Sequence, residues 1–479
     1  MIALRWAIRG VGLLSTLILA RLLTPADFGI VAMSTMVAGL LTAMTDMGTW
    51  QLLLRTKNPD RSAYDTAWTI MLLQSLLLAL VVFLVAHPAS LYFKEPRLEA
   101  VMQVSALGGV FIGLNNIGLV MFRRDLNFRM DFVTGLLTKV FSVVPTLILV
   151  LIYRNYWALV AGTLVGSACE AMLSYVLHPY RPRLSLSRWR EFASYSIWMT
   201  PANIAGYLNK KADVFIVGYL GSTAQMGAYN VAAELSQIAT GELAQPMMRA
   251  IYPNFAKLKD NIEELARAFE KVLHTVMVLG FGFGLGTAAV ADDLVHLLLG
   301  NQWGYAVPVL RWLAVCGACG VVLHTLTGHI LIVMHRESLM FRLVWLRLIV
   351  FSLSLWLAAS SGQALDIARA ATGATAFLMV GCLLLMPRIL PQLSAWALLR
   401  SLLGTATIAA VMYGAVVLLH MPSIPFRAVR LALDVAVGAT VFISLSLAWW
   451  TARGKPDGIE SKLIELVRGR VRALGRATR

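Results

Sequence analysis

Charged side chains inside apolar helices are costly unless they face water, a partner or a ligand, and in this chain they mark where chemistry can reside. Arg5 and Arg9, four apart, share one face of the first apolar segment. Lys210, Lys211 and Asp213 lie just past the middle of the run from Glu191 to Leu220, downstream of a bend expected at Pro201. Lys210 and Asp213 are spaced to pair with each other, which leaves Lys211 as a cation for an anionic ligand. Lys139, Glu170, Glu234, Glu242, Arg311 and Arg347 are further charges within apolar spans. The set suits binding: cations hold an anion, and Asp213, Glu234 or Glu170 either carry a coupling ion or join helices as salt bridges. Asn115, Asn116 and Asn209 can hydrogen-bond hydroxyl groups or tie helices together. For Arg5 and Arg9 the plainer reading is that both snorkel to a nearby interface.

Metal chemistry is not expected. Cys316, Cys319, His324 and His329 imitate a zinc spacing, but at about 100° per residue they point to roughly 0°, 300°, 80° and 220° around one helix and cannot converge. Cys169 and Cys382 lie in apolar spans, so no disulfide framework is indicated. No GxxxxGK[ST] phosphate loop is present, and neither ATP nor any other cofactor is implied. Asp292 and Asp293 fall in a short external turn and are expected to be solvated.

With 58% hydrophobic and 14% charged residues and a mean hydropathy of +0.72, the chain lies outside the range of soluble domains. An all-α integral membrane protein is expected. Spanning hydrocarbon takes roughly 20 apolar residues per helix, and fourteen such stretches start near Ile2, Ile30, Thr66, Leu98, Phe132, Tyr156, Phe192, Gly227, Arg267, Val307, Leu339, Leu365, Ala395 and Ala428. Arg21 and LLTPADFG follow the first stretch where a cleavage site would stand, so no cleavable signal peptide is expected. Lys and Arg mark cytoplasmic loops. With the N-terminus inside, the inner connections and the tail hold twenty-three of them against six outside, which predicts that both termini are cytoplasmic. Most of the net charge of +16 is therefore an orientation signal and not a nucleic-acid footprint.

The chain also echoes itself. RLLTPADFGIV from Arg21 aligns without a gap with YLGSTAQMGAY from Tyr219, and Leu91 to Leu107 aligns with Leu297 to Leu313, at offsets of 198 and 206. Six helices per copy make the repeats parallel, a construction usual in transporters. The expected organisation is a six-helix lobe over 1–191, a second over 192–390, two additional helices over 391–450, and a cytoplasmic basic tail over 451–479. Within the tail, Gly458 to Arg479 reads either as an amphipathic helix on an anionic leaflet or as a partly ordered segment.

At ARLLTPADFG (Ala20 to Gly29) the chain resembles the polysaccharide-export flippases, the Wzx or WzxC-like group within the MOP superfamily that also holds MATE drug antiporters and the lipid II flippase. The resemblance continues through Asp46 to Gly48, FKEPRL from Phe93, RRDLNF from Arg123, YWALVAG from Tyr156, DVFIVGYLG from Asp213, MGAYNVA from Met226, YPNFAKL from Tyr252 and LLGNQWGYAVPVL from Leu298. It implies translocation, without catalysis, of an undecaprenyl-pyrophosphate-linked oligosaccharide across the bacterial inner membrane, among membrane lipids and alongside a polysaccharide polymerase and a chain-length regulator. It further favours Arg5 and Arg9 as pyrophosphate ligands, the lipid II flippase using arginines on its early helices in this way; Lys139, Lys210 and Lys211, as cations inside apolar spans, are the other candidates for that anion. A multidrug antiporter of the same fold would usually have twelve helices and acidic cavity residues. A polymerase or glycosyltransferase needs a sizeable extramembrane catalytic loop, and the external connections here are short. A non-transporting scaffold differs from a flippase in a few cavity groups.

Overall fold

The computed structural model describes residues 2–57, 59–125, 127–421 and 424–453. The side chains of Arg5, Arg9, Glu242, Arg249 and His329 lie outside those described, as does the amphipathic segment expected at Gly458 to Arg479. With no water in hydrocarbon, backbone amides must be satisfied within the segment that carries them, and no strand occurs among the described residues. Fourteen long helices run in order: α1 Ile2–Leu22, α2 Pro25–Thr45, α3 Arg61–Tyr92, α4 Arg97–Gly113, α5 Phe128–Tyr153, α6 Trp157–Leu177, α7 Trp189–Leu220, α8 Thr223–Lys257, α9 Ile262–Ala289, α10 Ala306–Val333, α11 Glu337–Ala358, α12 Ala364–Ile389, α13 Ala395–Leu419 and α14 Arg427–Ala452. Each starts within five residues of an apolar stretch read from the sequence, and α7 stays helical through Pro201. Among the described residues, ten are long and apolar enough to cross a membrane. The others are α1, the 17-residue α4, and the polar α7 and α8, which run to 32 and 35 residues.

The chain divides into two compact units, residues 1–230 with 362–364, and 231–361 with 365–479. In the first, α5 packs on α1 and α6, α4 on α3 and α6, and α2 on α7. The α5/α6 seam depends on small residues: a Cβ at Gly162 would overlap Thr146 Oγ1, and one at Gly166 would come 2.6 Å from Ser142 Cβ. Carried one turn further, that register sets Glu170 of α6 opposite Thr138 of α5.

The sequence echo has a structural meaning within this unit. Thr24 caps α2 by accepting from Asp27 N at 3.3 Å, while the Asp27 carboxylate accepts from Thr24 N at 2.9 Å. Ser222 and Gln225 repeat the exchange at the start of α8, both bonds at 3.2 Å. These are two capping boxes, each worth roughly 1 kcal/mol. One turn on, Gly29 and Gly227 bring the helix starts into contact: a Cβ at Gly29 would overlap the Thr223 carbonyl, and one at Gly227 the Pro25 carbonyl. The offset of 198 relates Pro25 to Thr223 and Gly29 to Gly227, so this crossing has twofold pseudo-symmetry.

In the second unit α9 packs on α10 and α13, and α13 on α14. Its core is built on Phe255, Phe269, Met277, Phe281, Leu323 and Met386. The short helix Ala291–Leu298 lies against α10 and α14.

Candidate anion-binding site

Lys139 stands near the middle of α5, and its side chain lies over the Gly12 step of α1: a Cβ built there would meet Lys139 Cε at 3.1 Å and Nζ at 3.4 Å. Arg5, Arg9 and Gly12 follow i, i+4, i+7 spacing and occupy one stripe of α1. The missing side chain at Gly12 thus admits the ammonium to the stripe that carries both arginine positions. Lys139 is half-buried and has no hydrogen bond or ion pair among the described residues. A half-buried ammonium is costly without a counter-charge, which an anion would supply.

On α7, Lys210 is exposed and Lys211 half-buried. The local spacing pairs Asp213 with Lys210, but the structure pairs it with α8: the buried Tyr229 hydroxyl donates to Asp213 Oδ2 at 2.7 Å. A neutral phenol can be buried at far less desolvation cost than an ammonium. Lys211 attracts the same carboxylate at longer range.

Asn116 is not available to a sugar. It is fully buried, its Nδ2 donates to the Tyr180 carbonyl at 2.7 Å, its Oδ1 accepts from Gly118 N at 2.9 Å, and its backbone N–H donates to Ser174 Oγ at 2.9 Å. Asn209 is buried and donates to the Ala205 carbonyl in its own helix at 2.9 Å. The side-chain oxygen of Asn115 is buried without a hydrogen-bond partner among the described residues, as is Thr138 Oγ1. Glu170 is half-buried, and Glu234 and Arg311 are exposed. Cys316 Sγ lies 3.4 Å from Thr375 Oγ1 of α12.

Three networks escaped the sequence reading. Asn116 belongs to the first, where the 178–188 connection is tied over the start of α3. Asp65 accepts from the Tyr180 hydroxyl at 2.7 Å and from Arg183 N at 3.0 Å, and Thr69 Oγ1 accepts from Ser185 N at 2.9 Å. Burial and then the Asp65 carboxylate push the Tyr180 phenol above its usual range. His178 Nδ1 accepts from Tyr180 N at 3.1 Å, and burial followed by Arg181 holds the imidazole below its usual pKa. In the second, Glu95 takes a two-pronged guanidinium from Arg97 at 2.8 and 2.9 Å and a hydroxyl from Thr223 at 2.8 Å. Those hydrogen bonds, Arg97 foremost, lower its pKa.

The third network corrects the expectation for Asp293. It is 2% exposed and both its oxygens accept from Arg430 of α14, because α14 folds back against the short helix that carries it. Beside it, His420 Nδ1 lies 2.8 Å from Asp434 Oδ2. Asp293, His420 and Asp434 bring potential ligand atoms within 4.8 Å of one another; Arg430 already occupies the Asp293 carboxylate, which makes this an ion-pair network. Asp434 was detectable as an acid inside an apolar span.

Residues 18–308 match the family described as polysaccharide biosynthesis protein. The lipopolysaccharide biosynthesis protein WzxC of Escherichia coli K12 is 24% identical over 316 residues, covering 64% of this chain and 63% of that protein. The succinoglycan biosynthesis transport protein ExoT of Rhizobium meliloti 1021 is 26% identical over 301 residues, covering 62% and 60%. Both matches therefore span less than two thirds of the relative. Among solved structures, the lipid II flippase MurJ in an inward closed conformation is similar with a TM-score of 0.77 at 12% identity, over 94% of this chain and 98% of that one. An inward-facing MATE multidrug transporter of the MOP superfamily is similar at 0.58 and 15% identity, over 80% and 94%. These two likenesses are of fold, and the fold is the one the motifs implied.

Proposed function

We propose, from the premise that the chain belongs to the polysaccharide biosynthesis protein family, that it is an inner-membrane flippase. It moves undecaprenyl-pyrophosphate-linked oligosaccharide repeat units from the cytoplasmic to the periplasmic leaflet by alternating access between six-helix lobes over 1–191 and 192–390. The need for such a protein is physical. A sugar hydroxyl moved into hydrocarbon without a partner costs on the order of 4–8 kcal/mol, so a repeat unit cannot cross unaided while its polyprenyl tail stays in lipid. An inside-negative potential favours outward movement of the pyrophosphate by roughly 2.3 kcal/mol per charge per 100 mV. No bond is made or broken, in keeping with relatives named as a transport protein and a flippase.

The observation that most supports this reading is the Lys139 ammonium on the Gly12 step of α1, which joins a third cation to the stripe of Arg5 and Arg9. Together with Lys211 these groups would hold the pyrophosphate. Losing one charge-assisted contact costs about 1.5–3 kcal/mol, so Lys139→Gln and Lys211→Gln are each expected to lower export by roughly ten- to a hundredfold at normal protein abundance. Lys139→Arg is expected to retain most export. Polymer secreted by a deletion strain complemented with each variant measures this, and wild-type export from both Gln variants would refute the pyrophosphate site.

A further inference from the structure

Between α6 and α7 the chain crosses residues 178–188 without a helix. Pro179 and Pro182 lack an amide hydrogen and fix their own φ, and the LSLS run from Leu184 to Ser187 has the period of an extended strand. One polar face of α3 holds this strap. Asp65 and Thr69, a turn apart, accept from the amides of Arg183 and Ser185 at 3.0 and 2.9 Å, and Thr66 Oγ1 lies 3.5 Å from Ser187 Oγ. All three α3 side chains are buried. The leucines that alternate with the serines are left outward: Leu184 is 73% exposed and Leu186 47%, and Trp189 follows at 52%.

The depth of the strap follows from its anchors. α3 begins at Arg61, so Asp65 and Thr69 stand about 6 and 12 Å along it, where its membrane-length apolar stretch opens near Thr66. An extended backbone can lie at that boundary because α3 supplies partners for its amides. Residues 178–190 carry Arg181, Arg183, Arg188 and Arg190 and no carboxylate. Asp60 and Glu191 lie against Arg188. Arg183 and Arg190 are exposed, the latter with its guanidinium 6.0 Å from the Trp189 ring centroid. Leucines and a tryptophan interleaved with arginines fit the boundary of an anionic leaflet. A neutral leaflet covers the apolar side chains without answering the charge, and a free anion answers the charge without covering the leucines. We propose that the strap over residues 178–190 docks on an anionic leaflet, with Leu184, Leu186 and Trp189 entering the acyl boundary and Arg183 and Arg190 meeting lipid phosphates. This surface does not depend on which substrate the protein moves.

The test uses the full chain in nanodiscs of phosphatidylcholine, with or without phosphatidylglycerol. A spin label is attached at Leu184→Cys or Leu186→Cys after the four native cysteines are changed to Ala. With phosphatidylglycerol present, both labels are expected to collide more readily with oxygen than with a water-soluble nickel complex. Arg183→Gln and Arg190→Gln, both at exposed positions, each shift the balance between lipid-embedded and water-exposed label roughly fivefold toward water. Hydrogen exchange over residues 178–190 gives a second reading on the unsubstituted chain, and it is expected to slow when phosphatidylglycerol is added. Labels that nickel reaches in both lipids would overturn the proposal. Equal embedding in phosphatidylcholine alone would remove the anionic lipid from it, and labels shielded from oxygen and nickel alike would put protein on this face instead of lipid. Exchange indifferent to phosphatidylglycerol would also contradict it.

Discussion

His178 and Glu95 are both held deprotonated in the first unit, one neutral and the other charged, and each gives a signed prediction. The folded chain keeps His178 neutral, accepting from Tyr180 N, whereas in an unfolded chain it takes a proton below about pH 6.5. Its contribution is complete above that pH and is lost as the pH falls below it, because the unfolded state binds the extra proton. The Glu95 carboxylate, held low by Arg97 and Thr223, contributes fully above the unfolded value of about 4.3, and that contribution is lost as the pH falls through the lower folded value. Melting temperature against pH should therefore lose slope below about pH 6.5 in His178→Gln, and below about pH 4.3 in Glu95→Gln. A profile unchanged by either substitution would contradict these assignments. Asn116→Leu orphans the groups the amide satisfies and should cost about 2–3 kcal/mol, read as a lower melting temperature. These residues were hard to read from sequence because their partners are remote: Asp65 meets Tyr180, and Glu95 meets Thr223 across 128 positions. Spacing along one helix argued for Lys210 with Asp213, and the next helix supplied Tyr229 instead.

At the scale of elements, the start of α2 and the start of α8 are one device used twice. Hydroxyl cap, N3 acceptor and glycine recur at an offset of 198, and the echo was visible as letters in the sequence. Its geometry was not, since nothing in either copy says that the glycine of one receives the carbonyl of the other. A backbone carbonyl cannot retreat as a flexible side chain can, so Gly29→Ala and Gly227→Ala are each expected to destabilise by about 1–3 kcal/mol. Because both changes act on the same crossing, the double variant should lose less than the sum. Strictly additive losses in melting temperature would mean that the two glycines do not share a contact. The fourteen helices were legible because hydrocarbon demands long apolar runs. In α7 and α8 the sequence interrupts the apolar run with Lys210, Lys211 and Glu234; this polarity is what singled them out as candidate functional elements.

For the whole molecule, the all-helical fold is shared with MurJ at 12% identity, but a fold hosts many cargoes, and the proposal of a lipid-linked glycan rests on the cations of α1, α5 and α7. The direct measurement of the central claim is made in a strain lacking this protein. Mass spectrometry quantifies polyprenyl-linked sugars, and an impermeant sugar-modifying reagent applied to spheroplasts reports which leaflet they occupy. Complete lipid-linked repeat units are expected to accumulate and stay shielded from the reagent. Normal exposure with missing polymer, or truncated lipid-linked glycans, would contradict it and assign the protein to polymerisation or synthesis.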